Sequence, residues 1–275
     1  MVLSPIFRLN IIVSEFRNNA WSSVKTRIKL SMIIEAWCET DVGLKRESNE
    51  DSFLINKELG IFAVADGMGG HRGGEVASSM AIQTLEECIK QNQKDTRKMQ
   101  PRLLLSEAYK SASIKIFDKS RIEATELAGM GTTLVSALYF DNTLFIANVG
   151  DSRAYLYRSR QIWQLTEDHS LLNEHIKFGL LNEQDADNFL QKNVITRSVG
   201  FEREVVCDIL ERLVEPEDLI ILCSDGLSGM VTDSRIAEIC QSFRPDKVVE
   251  ECIREARNNG GDDNITALAI YARPQ

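Results

Sequence analysis

Apolar residues recur along the chain in two rhythms, and these separate helices from strands. Between residues 75 and 93 the pairs Val76/Ala77, Met80/Ala81, Thr84/Leu85 and Cys88/Ile89 return every four residues, the stripe of an amphipathic helix. Val248/Val249, Cys252/Ile253 and Ala256 repeat it over 246–258, and 102–120 predicts a third helix. Residues 132–140 and 143–149 read as strands joined by Asp141-Asn142, a two-residue hairpin signal. Residues 154–158 extend that run to a turn at Ser159-Arg160, and 60–65, 219–223 and 265–271 add further strands. Strands so closely connected must pair antiparallel, since a parallel pair needs a crossover of about a dozen residues or more. Helices set apart from an antiparallel meander predict an α+β fold with layered packing, not a doubly wound sheet. Residues 170–195 are polar, with two short helical pieces around Gly179, and predict a surface excursion of the kind that carries specificity.

Length and composition narrow this to one domain behind a short extension. The chain has 275 residues, 43% of them hydrophobic, enough to bury a sizeable core, and no composition shift marks a linker after residue 34. Net charge is -9, but the first thirty residues carry Arg8, Arg17, Lys25, Arg27 and Lys29 against Glu15. The remainder holds 27 basic and 40 acidic residues, a charge of -13. Such a body does not attract nucleic acid and suits multivalent cations. The six cysteines (38, 88, 207, 223, 240 and 252) form no C-x-x-C pair and no zinc pattern, so they read as free thiols in a reducing compartment. No apolar run approaches the ~20 residues of a membrane helix. The expectation is a cytoplasmic monomer.

The chemistry lies in the carboxylates. Asp66-Gly67 follows the apolar run at 62–65, and Asp225-Gly226 follows the run at 219–223. Asn49-Glu50-Asp51 precedes Phe53-Leu54-Ile55, Asp262-Asp263-Asn264 precedes 265–270, and Gly150-Asp151-Ser152-Arg153 falls between two meander strands. One Asp-Gly is ordinarily a turn. Repeated at several strand ends, such carboxylates can converge at one edge of a sheet sandwich, where mutual repulsion demands a counter-charge. An all-oxygen donor set suits Mg²⁺ or Mn²⁺. On this reading each Asp ends its strand to hold an ion, and Gly67 allows a sharp turn and a close carbonyl approach.

RESNEDS (46–52), ADGMGGH (65–71), GMGTT (129–133), NVGDSRAY (148–155), LCSDGLS (222–228) and DDNITAL (262–268) together resemble the ordered motifs of the metal-dependent Ser/Thr protein phosphatases of the protein phosphatase 2C family, in its bacterial-type branch. The resemblance covers about residues 36–272, nearly the whole chain, and ordered motifs are far more specific than any single match. It implies an α-β-β-α sandwich with metals at one end of two antiparallel sheets. It makes Asp66 the carboxylate bridging two Mn²⁺ or Mg²⁺ ions, with the Gly67 carbonyl and, through water, Glu50 serving one, and Asp225 and Asp263 the other. Asp151 falls where this branch places a ligand of a third, weaker ion shared with Asp225. Arg46 matches the arginine that grips the substrate phosphate. The implied reaction is in-line attack on phosphoserine or phosphothreonine by a metal-bridging hydroxide, without a phosphoenzyme. Phosphorylated proteins are the implied partners, a cognate Ser/Thr kinase or its substrates among them. The eukaryotic branch carries a histidine where this chain has Met68, so the general acid is not identified. His71 is a near neighbour, whereas His169, His175 and Arg153 read as structural.

Alternative readings fare worse. GMGGHRGG fails the dinucleotide spacing, because the sixth position of G-x-G-x-x-G counted from Gly67 is Arg72, and no phosphate-loop lysine follows. No cysteine has an arginine six residues downstream, as a cysteine-dependent phosphatase would require. A pseudophosphatase binding phosphoproteins or a kinase would be marked by a missing metal ligand, yet every position is filled. Residues 1–33 form a basic extension: an upstream start codon, a membrane-surface or partner-binding arm, or a presequence. The first is the expectation, because the family motifs begin just after Met32, and 34–275 is then the phosphatase domain.

Overall fold

The computed structural model describes residues 32–69, 72–92, 100–182, 189, 191 and 194–275. The basic extension before Met32, His71, and most of the second helical piece expected after Gly179 lie outside the described residues.

In chain order the elements begin with strands β1 (Met32–Asp41), β2 (Asp51–Asn56) and β3 (Ile61–Met68), followed by helices α1 (Gly73–Asn92), α2 (Pro101–Ile122) and α3 (Ala124–Leu127). Next come β4 (Gly131–Thr132), β5 (Leu134–Phe140), β6 (Thr143–Val149), β7 (Arg153–Arg158), β8 (Gln161–Gln164) and α4 (Leu171–Lys177). The last are β9 (Asp208–Leu213), β10 (Leu219–Cys223), α5 (Asp225–Ser228), α6 (Asp233–Ser242), α7 (Pro245–Asn258) and β11 (Ile265–Pro274). Among the described residues the strands form two antiparallel sheets, ordered β1-β11-β10-β7-β8 and β2-β3-β5-β6-β9, with β4 paired to the end of β3. The expected hairpins are present. Asp141 and Asn142 (φ 49° and 61°), and Ser159 and Arg160 (φ 52° and 64°), take the left-handed conformation that a two-residue turn between twisted strands requires.

Alternation along the strands builds the layers. Ile61, Ala63 and Ala65 of β3 pack under α1 and α2, while Phe62 and Val64 point between the sheets. Leu219, Ile221 and Cys223 of β10 meet α6 and α7, while Ile220 and Leu222 join Phe62 and Val64 from the other side. Both faces of these strands are buried, which is why they read as unbroken apolar runs; each fully buried Leu, Ile or Phe contributes about 1.5–3 kcal/mol. The result is the α-β-β-α sandwich that the motifs imply.

The meander reading needs one correction. β6 and β7 are not neighbours: β6 pairs with β5 and β9, whereas β7 pairs with β10 and β8 in the opposite sheet. Gly150, Asp151 and Ser152 therefore cross between the sheets, and the crossing brings Asp151 to the end of the sandwich.

Candidate metal centre

Asp51 and Asp66 are direct cross-strand partners in β2 and β3. Asp66 does not end its strand as the sequence suggests, since β3 continues through Gly67 and Met68 to pair with Thr132 and Gly131. Its backbone is pinned: Asp66 N–H donates to Thr133 Oγ1 (2.9 Å), and its carbonyl accepts from Thr132 Oγ1 (2.8 Å) and Thr133 N–H (2.9 Å). Gly67 makes no sharp turn either. Its requirement is space, because a Cβ there would lie 2.2 Å from the Gly74 carbonyl oxygen and 2.6 Å from that of Glu50. Asp225 follows β10 by one residue and opens α5, so it starts a helix instead of closing a strand.

Asp263 precedes β11, and its Oδ2 accepts from Arg46 Nη2 at 2.7 Å. This contact holds Arg46 at the edge of the cluster. Asn264 ties the loops together. Its Oδ1 accepts from Glu50 N–H (2.8 Å), and its Nδ2 donates to the Val42 and Ser48 carbonyls (both 2.9 Å).

Electrostatics confirm that these groups face one another. Burial, then the charges of Asp51, Asp225 and Asp151, raise the Asp66 carboxyl well above the usual range. Burial and the Asp225 charge push Asp151 up to about 7. Burial also pushes Asp51 to about 7 and outweighs hydrogen bonds from Thr266 and Ser224 that favour its ionised form. Asp225 rises through burial and the Asp263 charge. Glu50 rises too, mainly by desolvation. Arg153 offsets only part of this at Asp151 and Asp225, and its hydrogen bonds go to Asp168 at 2.6–3.0 Å and to the Tyr155 hydroxyl at 3.0 Å. His169 is equally committed, accepting from Gly150 N–H and contacting Asp208, and His175 stands edge-on to Phe189.

Asp51 Oδ1, Asp151 Oδ1 and Asp225 Oδ1 are buried without a hydrogen-bond partner. Unpaired buried carboxylate oxygens are costly, and three in one place fit hard divalent cations as their missing partners. Among the described residues no group of three or more acidic, histidine or cysteine side chains is arranged to hold a metal ion by side chains alone.

Several contributors escaped sequence reasoning. Asp51 stands beside Glu50 with nothing local to mark its role; its Oδ2 accepts from Ser224 Oγ (2.8 Å) and Thr266 Oγ1 (2.6 Å), while Oδ1 has no partner. Ser224 and Thr266 stand inside quoted motifs, yet nothing in the sequence marks them as partners of Asp51. Gly74 carried no signal at all, although a Cβ there would sit 2.0 Å from Glu50 Oε2.

The sequence profile of the family described as Protein phosphatase 2C matches residues 45–267. The serine/threonine phosphatase stp of Listeria monocytogenes serotype 4b is 39% identical over 235 residues, which is 84% of this chain and 93% of that protein. The Mycobacterium tuberculosis serine/threonine phosphatase PstP/Ppp superposes with a TM-score of 0.80 at 32% identity, covering 87% of this chain and 99% of that one. The catalytic domain of the serine/threonine phosphatase PstP in complex with two manganese ions gives 0.78 at 31% identity, covering 88% and 100%. With the sandwich, the ordered motifs and the carboxylate cluster in agreement, the chain belongs to the protein phosphatase 2C family.

Proposed function

We propose that the chain is a metal-dependent phosphatase that hydrolyses phosphoserine and phosphothreonine in proteins. The observation that carries this reading is the set of buried, unpartnered carboxylate oxygens on Asp51, Asp151 and Asp225 beside Asp66. Asp66 would serve both of two Mn²⁺ or Mg²⁺ ions, with the Gly67 carbonyl and, through water, Glu50 at one, Asp225 and Asp263 at the other, and Asp151 with Asp225 holding a third, weaker ion. When bound, the ions supply a nucleophilic oxygen at neutral pH and offset charge on the phosphoryl group.

The chain's own groups do the rest. Arg46 spends one N–H on Asp263, and its half-exposed guanidinium keeps others for two phosphate oxygens. Met68 has no proton to give and His169 is committed to Gly150 and Asp208, so neither is the general acid. A non-catalytic phosphoprotein-binding role is disfavoured because no donor position has lost its oxygen. The domain that begins at β1 carries the activity as a monomer in the cytoplasm, acting on phosphoproteins that include a cognate kinase or its substrates; the expected boundary at residue 34 falls inside β1, where Met32 and Ile33 pair with Pro274 and Arg273.

The test is hydrolysis of a phosphothreonine peptide with Mn²⁺, and its loss in EDTA. Asp66→Asn is expected to abolish turnover while the circular dichroism spectrum stays native. Full activity in chelator with no retained metal would overturn the reading, and metal uptake without turnover would favour the binding role.

A further inference from the structure

We propose that His169 is a positioning residue for Asp151, acting through the backbone of Gly150. The inference rests on the role given to Asp151 above and extends it to a residue outside the carboxylate cluster.

Asp151 sits in the middle of the crossing between the two sheets, and its position is set by what anchors the residues on either side. Ser152 is held by Thr133, whose Oγ1 lies 2.7 Å from Ser152 Oγ and also receives the Asp66 N–H. Gly150 is held by His169 twice. Gly150 N–H donates to His169 Nδ1 at 3.0 Å, and Gly150 O accepts from His169 N–H at 3.0 Å. Gly150 has φ 106°, and a Cβ there would lie 2.6 Å from Thr133 Cγ2, so the crossing cannot be stiffened by a larger residue and depends on these partners.

The hydrogen-bond directions fix the ring. A backbone N–H can only donate, so Nδ1 is an acceptor and the imidazole proton resides on Nε2, which donates to Asp208 Oδ2 at 3.1 Å. Asp208 is oriented in turn by Arg197 Nη1 at 2.9 Å on its other oxygen. His169 is only 7% exposed and does not line the cavity formed by Asp151, Asp168, Ser170 and Asp225. It also receives Thr196 N–H on its carbonyl, so both stems of the 170–195 excursion meet at this residue. The arrangement is a ring held on one nitrogen by a surface carboxylate while the other nitrogen holds the backbone that presents Asp151.

The experiment is Mn²⁺ titration by calorimetry on wild type, Asp151→Asn, His169→Gln, His169→Asn and Asp208→Ala, with thermal melts and phosphopeptide kinetics alongside. Asp151→Asn identifies the weakest ion as the one it removes. Gln can reach Asp208 but offers nothing at the Nδ1 position, and His169→Gln is expected to weaken that ion about tenfold, the lower end for an outer partner of a metal ligand. The tighter ions stay within about twofold in the same variant. Asn places an amide oxygen near the Nδ1 position, so His169→Asn restores most of the loss. Asp208→Ala, at an exposed side chain, preserves the fold and weakens the same ion by about threefold. Equal, unchanged affinity for the weakest ion in His169→Gln and Asp208→Ala, whatever the change in melting temperature, overturns the proposal and leaves the Asp151 assignment standing. If Asp151→Asn binds as many ions as wild type, with the same affinities, the Asp151 assignment falls and the proposal falls with it.

Discussion

Without divalent cations the protein is expected to lose stability as pH rises toward neutrality. Asp151 is the clearest contributor, its carboxyl pushed up to about 7 from 3.8 by burial and by Asp225. A carboxyl whose folded pKa is raised binds its proton more tightly in the folded chain. Its contribution is therefore fully present below the unfolded value and is lost as pH climbs through the folded one, between about pH 4 and pH 7. Starting at about pH 5.5 leaves about 1.5 pH units to the folded value, and at about 1.36 kcal/mol per unit the loss from Asp151 alone is about 2 kcal/mol. Asp51, also raised to about 7, adds a loss of the same sign. Asp151 and Asp51 both feel Asp225, so their losses are not independent and a total of about 2–4 kcal/mol is expected. His169 acts in the opposite direction. Burial lowers its pKa below 6.5, so its contribution is lost as pH falls, and it offsets part of the slope only below that value.

The assay is urea unfolding followed by circular dichroism at about pH 5.5 and about pH 8, in EDTA and again at saturating Mn²⁺. In EDTA the unfolding free energy is expected to be about 2–4 kcal/mol lower at the higher pH. With Mn²⁺ the order reverses, because the ions compete with protons for the same oxygens and bind better as those leave. Equal or greater metal-free stability at the higher pH would refute the claim that these carboxylates are buried against one another.

Arg46→Ala is expected to lower kcat/KM by about one to two orders of magnitude, since a bidentate charge-assisted contact is worth about 1.5–3 kcal/mol, with Arg46→Lys recovering part of it. Its salt bridge to Asp263 is exposed enough that folding stability changes by less than about 1 kcal/mol, and a kcat/KM within about twofold of wild type would remove Arg46 from the site. Gly67→Ala is expected to cost about 3 kcal/mol or more in urea unfolding, because the added carbon meets backbone atoms of Gly74 and Glu50 that cannot swing aside. Wild-type stability in that variant would show that the close approach is not required.

The strands at 61–65 and 219–223 were legible because burial on both faces leaves an unbroken apolar run, and the hairpins because two-residue turns need Asp, Asn or similar residues. β1 and β9 were not, since their partly exposed residues give no clean alternation. The crossing at Gly150 was misread for a related reason. A short connection between strands predicts a hairpin, and local sequence carries nothing about which sheet the next strand joins. At the site, Asp66, Asp151, Asp225 and Asp263 stood out as acidic residues bordering apolar runs. Asp51 stood out only as part of Asn49-Glu50-Asp51, because its partners Asp66, Ser224 and Thr266 lie on segments that the local sequence does not connect to it. Asn264 and Gly74 act through backbone contacts to loops distant in sequence, a role that no local pattern encodes.

The choice of partners at the site follows from what the fold refuses to neutralise. Asp51 and Asp66 oppose each other across paired strands, where like charges cost stability. The hydrogen bonds of Arg153 go to Asp168 and that of Arg46 to Asp263, and the charges of the two arginines offset only part of the rise at Asp151, Asp225 and Glu50. Ser224 and Thr266 donate to Asp51 on one oxygen and leave the other bare, which keeps the carboxylate an acceptor without relieving its repulsion from Asp66. A domain selected only for stability would have paired these charges internally. Local consistency is broken at the end of the sandwich where both sheets deliver their acidic residues, and there an added cation gains what the chain has given up.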